Sequence, residues 1–115
     1  MYDVIIIGGG VVGCAVARFL SRFQAKTMLL EKTNDICNGQ SKANTAIIHG
    51  GYDPLPHTLK AKLNTAGVPL LYKAADELHV PYRRTGSLVC AFGAEEEKTL
   101  AALLARGKEL GIPDL

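Results

Sequence analysis

The chain has 115 residues, 48% of them apolar, and a formal net charge of +2, the size and balance of one globular domain. Its charges are scattered, with no basic block or aromatic-basic interleaving, which argues against a nucleic-acid partner. The longest apolar stretch at the N-terminus is too short and too glycine-rich to span a membrane. No cationic segment precedes it as in a signal peptide, so the expected compartment is the cytoplasm.

The first 32 residues, MYDVIIIGGGVVGCAVARFLSRFQAKTMLLEK, organise the rest. Asp3 to Ile7 is a short apolar run rich in β-branched residues; it breaks into three glycines, and a helix-period pattern follows at once. Strand, tight turn and helix are therefore expected, with Gly8, Gly10 and Gly13 at the spacing of the dinucleotide fingerprint. Gly8 lets the backbone turn sharply out of the strand, Gly10 removes a Cβ so that a pyrophosphate can approach, and Gly13 lets the helix pack close to the sheet. The helix opening at Val11 and Val12 offers unsatisfied N–H groups and the positive end of its dipole, a seat for an anion. Thr27 to Leu30 reads as a second buried strand ending at Glu31. A carboxylate there can accept hydrogen bonds from both hydroxyls of an adenosine ribose and would repel a 2′-phosphate, so FAD or NAD is the expected ligand and NADP is not.

Thr33 to Ser41, TNDICNGQS, is a run of turn formers and is expected to be a loop. Lying beside the pyrophosphate, Ser41 and nearby N–H groups would add phosphate contacts; otherwise the stretch is solvated loop. In Lys42 to Asp53, KANTAIIHGGYD, a β-prone piece from Thr45 to Ile48 leads to His49 and then Gly50-Gly51. A polar ring beside backbone that can approach a flat ligand suits a cofactor, although a histidine on a short strand is more often a hydrogen-bonded structural residue. Pro54 and Pro56 stiffen a surface turn.

Thr58 to Val80 has helical periodicity, with Leu59, Leu63, Leu70, Leu71, Ala74, Ala75 and Leu78 on an apolar face. Pro69 interrupts it, which predicts either a kink or two helices, Thr58 to Ala66 and Val68 to Leu78. Lys60, Lys62 and Lys73 read as a solvated face. Gly86 to Phe92 is a strand candidate. Ala94 to Leu110 is the clearest helix: Glu95, Glu96 and Glu97 suit its first turn, Arg106 and Lys108 its last, and Gly111 is placed to cap it. Cys14, Cys37 and Cys90 have no disulfide or metal-ligand spacing and are expected to be free thiols, with Cys14 packing inside the first helix. No metal site is indicated.

The opening pattern, together with SKANTAIIHGGYDPLPHTLKAKLN and RTGSLVCAF, resembles the N-terminal part of FAD-dependent oxidoreductases of the D-amino-acid oxidase superfamily. Within it the nearest likeness is to glycerol-3-phosphate dehydrogenases and L-2-hydroxyglutarate oxidases. The resemblance runs over essentially all 115 positions. It implies an α/β fold, the parallel βαβ start of a Rossmann-like FAD-binding domain with an incomplete sheet. It implies FAD contacts at Gly8, Gly10, Val11, Val12, Gly13, Glu31, Lys32, Ser41, Asn44, His49 and Gly50, with Ser41 near the pyrophosphate and Asn44 to Gly50 near the isoalloxazine. One departure is the missing glycine between the first helix and second strand, where Gln24-Ala25 stand.

The activity implied is two-electron oxidation of a small hydroxy acid or polyol phosphate, such as glycerol 3-phosphate, with hydride passing to flavin N5. Family members are several times longer, so the chain is expected to be an N-terminal fragment lacking the substrate domain and inactive alone. Most substrate-binding residues, and the base, would lie outside it, and no catalytic residue is assigned. The open sheet edge is expected to meet a second copy or a completing chain. Two other readings share the fingerprint: an NAD-dependent dehydrogenase domain and a non-catalytic nucleotide-binding scaffold.

Overall fold

A computed structural model describes all residues, Met1–Leu115. Five elements follow in order: β1 (Val4–Ile7), α1 (Val11–Leu20), β2 (Thr27–Leu30), α2 (Leu59–Glu77) and α3 (Ala94–Glu109). The chain divides into two compact units, Met1–Ala46 and Ile47–Leu115.

In the first unit β1 and β2 pair in parallel, Val4 opposite Thr27 through Ile7 opposite Leu30. The crossover between parallel strands is α1, as the βαβ unit requires. Asp3 fastens the open end: its N–H donates to the Lys26 carbonyl (2.9 Å) and its carboxylate accepts from the Lys26 N–H (2.8 Å). At the other end the Gly8 N–H donates to the Leu30 carbonyl (2.8 Å), so the ladder runs one residue past β1 and the chain turns only there. The expected strand-turn-helix-strand order is observed at the expected positions. The substitution of Gln24-Ala25 for the usual glycine leaves the connection intact, a turn in which Phe23 N–H donates to the Leu20 carbonyl (2.9 Å).

In the second unit α2 is one continuous helix with Pro69 inside it, which corrects the expectation of two shorter helices. Of the two expected outcomes, a kink or two helices, only the second is excluded: proline removes one N–H and leaves the Thr65 carbonyl without its helical partner, and eighteen other residues of helical backbone carry the element through. Thr58 caps the start, its side chain accepting from the Ala61 N–H at 3.2 Å. At the end His79, at φ 55°, takes the left-handed position. The His79 N–H donates to Asp76 and the Val80 N–H to Ala75, a Schellman closure made without glycine. α3 closes the same way with the expected glycine: Gly111 (φ 69°) donates to Lys108 and Ile112 to Gly107, both at 3.0 Å. Glu96 reaches back to accept from the Phe92 N–H at 2.7 Å, and Glu95 and Glu97 share its first turn.

Two expected strands are absent. Neither Thr45 to Ile48 nor Gly86 to Phe92 forms regular structure; a strand exists only by pairing, and the sheet holds β1 and β2 alone. The turn of Gly50 to Asp53 packs inside the second unit instead. Gly51 (φ 91°) sits so close to Ile112 that a Cβ there would come within 2.8 Å of it, and Gly107 of α3 stands against Leu115 and Tyr52. The Arg106 guanidinium donates to the Asp53 carbonyl at 2.6 Å.

The apolar residues are mostly in view. Ile6 (9% exposed) and Ala61 (2%) are the buried hydrophobic side chains. The apolar face of α2 predicted from periodicity is exposed at Leu59, Leu63, Leu70, Leu71 and Leu78. On α1 an open apolar groove is lined by Val11, Val12, Ala15, Val16, Phe19 and Leu20. In the first unit, a two-stranded parallel sheet covered by one helix is too small to bury the apolar residues of α1. The sheet is open, as expected. No helix is long and apolar enough to cross a membrane.

Candidate dinucleotide-binding site

The site is built on the turn Gly8-Gly9-Gly10 between β1 and α1. Gly8 has φ 98°, the left-handed region in which a side chain is strained, and this is the sharp exit from the strand. Gly13, one turn into α1, faces back on that exit. A Cβ on Gly13 would lie 1.9 Å from the Gly8 carbonyl oxygen and 3.4 Å from Ile6, so the helix can approach the strand only because the atom is missing. At Gly10 the neighbour is Ser41, whose hydroxyl would be 3.3 Å from an added Cβ.

Gly9, which the spacing pattern passes over, is the hub. It is buried, and a Cβ on it would press on Ile36, Leu29 and Glu31 at 3.1, 3.2 and 3.3 Å. Its N–H donates to the Glu31 carboxylate at 2.7 Å. Its carbonyl accepts from the Cys37 N–H at 2.8 Å and from the Cys14 thiol at 3.4 Å. The run of three consecutive glycines was the signal that could have revealed it: the fingerprint accounts for two of them and leaves the middle one unexplained.

Glu31 ends β2 with its carboxylate turned toward the glycine turn. One oxygen accepts from Gly9; the other accepts from the Thr33 N–H (2.9 Å) and the Thr33 hydroxyl (3.0 Å). The Gly9 N–H, the two Thr33 donors and the Lys32 backbone outweigh the desolvation of this half-buried group and hold its pKa down at about 2. The acid is therefore an anion across the ordinary pH range, with lone pairs as its only hydrogen-bonding resource. The Lys32 side chain is exposed.

The loop Thr33 to Ser41 is irregular, as expected, and returns Ser41 to the start of α1. There the Ser41 hydroxyl accepts from the Val11 N–H at 2.8 Å. α1 begins with Gly10 at its cap, no side-chain cap of its own and no acidic residue in its first turn. Ser41 thus occupies one of the orphan N–H groups while keeping its hydroxyl proton, and no negative side chain neutralises the dipole there. Val11 and Val12 stand exposed at this mouth. Asn44 braces the loop, donating to the Ser41 carbonyl and accepting from the Ala46 N–H at 2.7 Å.

Gly8, Gly10, Val11, Val12, Gly13, Glu31 and Ser41 are thus brought together in the first unit. His49 and Gly50 belong to the second. There the His49 Nδ1 accepts from the Gly51 N–H at 2.9 Å, which leaves the ring proton on Nε2. The Tyr52 ring lies 5.9 Å from the His49 ring and, at 3.1 Å from a notional Cβ, close under Gly50.

Residues 3–115 match the family described as DAO, FAD dependent oxidoreductase. The chain belongs to that family. It is 50% identical over its full length to a glycerol 3-phosphate dehydrogenase of Caloramator mitchellensis, of which it covers 24%. It is 41% identical over 99% of its length to a mitochondrial L-2-hydroxyglutarate dehydrogenase of Caenorhabditis elegans, covering 27% of that protein. Among solved structures, dithionite-reduced L-alpha-glycerophosphate oxidase from Mycoplasma pneumoniae with FAD bound superposes at a TM-score of 0.83. The identity is 37%, over 95% of this chain and 29% of that one. The chain thus spans about a quarter of the length of the relatives it matches.

Proposed function

We propose that this chain forms the nucleotide-binding start of an FAD-dependent oxidoreductase that oxidises a small hydroxy acid or polyol phosphate, glycerol 3-phosphate being the first candidate. The observation that carries the reading is the glycine turn closed by Glu31: a helix start free of acidic residues stands beside a carboxylate ionised down to about pH 2. That pairing offers donors for a pyrophosphate and acceptors for ribose hydroxyls in one crevice. The residues present suit FAD. The missing Cβ of Gly10 keeps the cradle open and that of Gly13 lets α1 close on β1, Ser41 has a proton to donate, and Glu31 is unsuited to a 2′-phosphate.

In this assignment Gly8, Gly10, Val11, Val12 and Gly13 hold the pyrophosphate, Glu31 and the backbone at Lys32 hold the ribose, and Ser41 adds a phosphate contact. Asn44, His49 and Gly50 are assigned to the flavin end by family likeness, with His49 able to donate from Nε2. FAD held by these residues would supply the two-electron acceptor. The chain's own residues bind and orient; none of them is assigned the proton of the substrate hydroxyl.

We also infer that the 115 residues work as part of a longer polypeptide carrying the substrate site, since the α1 groove and the apolar face of α2 need a covering surface. Three cysteines free of disulfides suit a cytoplasmic setting.

The test is the visible spectrum of the purified longest natural form, followed by turnover of glycerol 3-phosphate and L-2-hydroxyglutarate with a dye acceptor. A flavin spectrum bleached by one of these substrates is expected. A colourless protein that takes up NAD, or a yellow one that no 2-hydroxy acid or polyol phosphate bleaches, would overturn the reading.

A further inference from the structure

We propose that Cys14 and Cys37 are a thiol-oxidation site, forming a reversible disulfide that staples α1 to the loop carrying Ser41. The two residues lie on different elements, one in the second turn of α1 and the other in the loop after β2, and Gly9 brings them together. The Cys14 thiol and the Cys37 N–H both donate to the Gly9 carbonyl, at 3.4 and 2.8 Å. The Cys37 side chain lies near enough to push the Cys14 thiol up, by hydrogen bonding and by charge. Cys37 is held at φ 55°, a conformation costly for a non-glycine residue. Both thiols are reduced and half-exposed, so a small oxidant can reach them.

Hydrogen peroxide suffices as the oxidant. The Cys37 sulfur, as thiolate, attacks one peroxide oxygen; the O–O bond breaks, hydroxide leaves, and Cys37 becomes a sulfenic acid. The Cys14 sulfur then attacks the Cys37 sulfur, the S–O bond breaks, and water leaves with the Cys14 proton. Two thiols lose two electrons and two protons, and one peroxide becomes two waters. Desolvation, the Cys37 side chain and the Glu31 charge all push the Cys14 thiol up, which suits it to the second, resolving part.

The bond would fix Ser41, four positions beyond Cys37, against the mouth of α1. Fixing Ser41 there would alter FAD exchange, a consequence that rests on the proposed function; formation of the bond does not.

The experiment is a peptide map of the full-length natural polypeptide, treated with hydrogen peroxide, alkylated and cut with trypsin. The expected product joins residues 1–18 to residues 33–42, vanishes on treatment with dithiothreitol, and persists in Cys90→Ser. Cys14→Ser and Cys37→Ser should each abolish it. Separate alkylation of Cys14 and Cys37 after peroxide, conversion of Cys37 only to sulfinic acid, or pairing of either with Cys90 would overturn the proposal. Wild type and Cys90→Ser decide the outcome even if a Cys14 variant fails to fold.

Discussion

The two units are held by different kinds of bond. In residues 1–46 nearly every element is tied to the glycine turn and the start of α1: Gly8 to Leu30, Gly9 to Glu31 and Cys37, and Val11 to Ser41, each through a backbone N–H or carbonyl of residues 8–11. In residues 47–115 the helices close on themselves, with Thr58 capping α2 and Schellman turns ending both α2 and α3. Bonds between distant parts are fewer there, such as Arg106 to Asp53. A unit whose contacts converge on backbone tolerates almost no added atom at the point of convergence. A unit of self-capped helices tolerates surface change but depends on other surfaces to cover its apolar faces.

The sharpest way to break this contrast is Gly13→Ala. Its methyl would stand 1.9 Å from the Gly8 carbonyl, a backbone atom that cannot swing aside. The expected cost is about 1–3 kcal/mol or more from overpacking, read by chemical denaturation, with FAD uptake lost alongside. Gly10→Ala meets only the Ser41 hydroxyl at 3.3 Å and should be clearly milder. Equal damage from the two would mean that the close approach of α1 to β1 is not what Gly13 provides.

Glu31→Gln comes next. An amide can still accept from Gly9, but its NH2 group then faces the Thr33 donors, and affinity for FAD should fall on the order of tenfold. The same variant tests acid stability. Because the carboxylate's folded value of about 2 lies below its ordinary value of 4.5, its stabilisation is complete above about pH 5 and is lost as pH falls toward 2. Wild type should lose that contribution through this window in an acid titration, and Glu31→Gln should not. A pH profile unchanged by the substitution would remove the acid from its place at the centre of the first unit.

Ser41→Ala removes the acceptor of the Val11 N–H and should cost about 1 kcal/mol. The smallest effect belongs to the second unit: His79→Gly relieves a left-handed residue at the end of α2 and should raise its stability by up to about 1 kcal/mol. A rise in melting temperature is expected there, whereas any change at Gly8 to Gly13 should lower it.

Much of the first unit was legible in the linear pattern. β1, α1 and β2 form where the apolar runs and glycines predicted, because strand, turn and helix there are each specified by residues close in sequence. Glu31 and Ser41 were both marked as candidates. Their pairing with Gly9 and Val11 was not, since it depends on how the loop after β2 returns. The second unit was read less well. α3 and its cap came through because Glu95 to Glu97, Arg106, Lys108 and Gly111 carry end signals of their own. Of the two readings of Pro69, the one with two separate helices fails, because one lost backbone bond does not end a helix sustained on both sides. The strand at Gly86 to Phe92 did not form, since β-propensity expresses fit to a sheet more than any preference of the isolated backbone, and the sheet does not include this stretch.

The residues taken alone determined a βαβ start with a tight glycine turn and an acid at the end of the second strand. Those are properties of local conformation and spacing. Only the tertiary structure decided that Gly9 is the junction of the turn, that Ser41 sits on the first N–H of α1, and that Cys14 and Cys37 share the Gly9 carbonyl. Such facts arise when segments more than twenty positions apart compete for the same few backbone donors and acceptors, a contest that no single stretch of chain records.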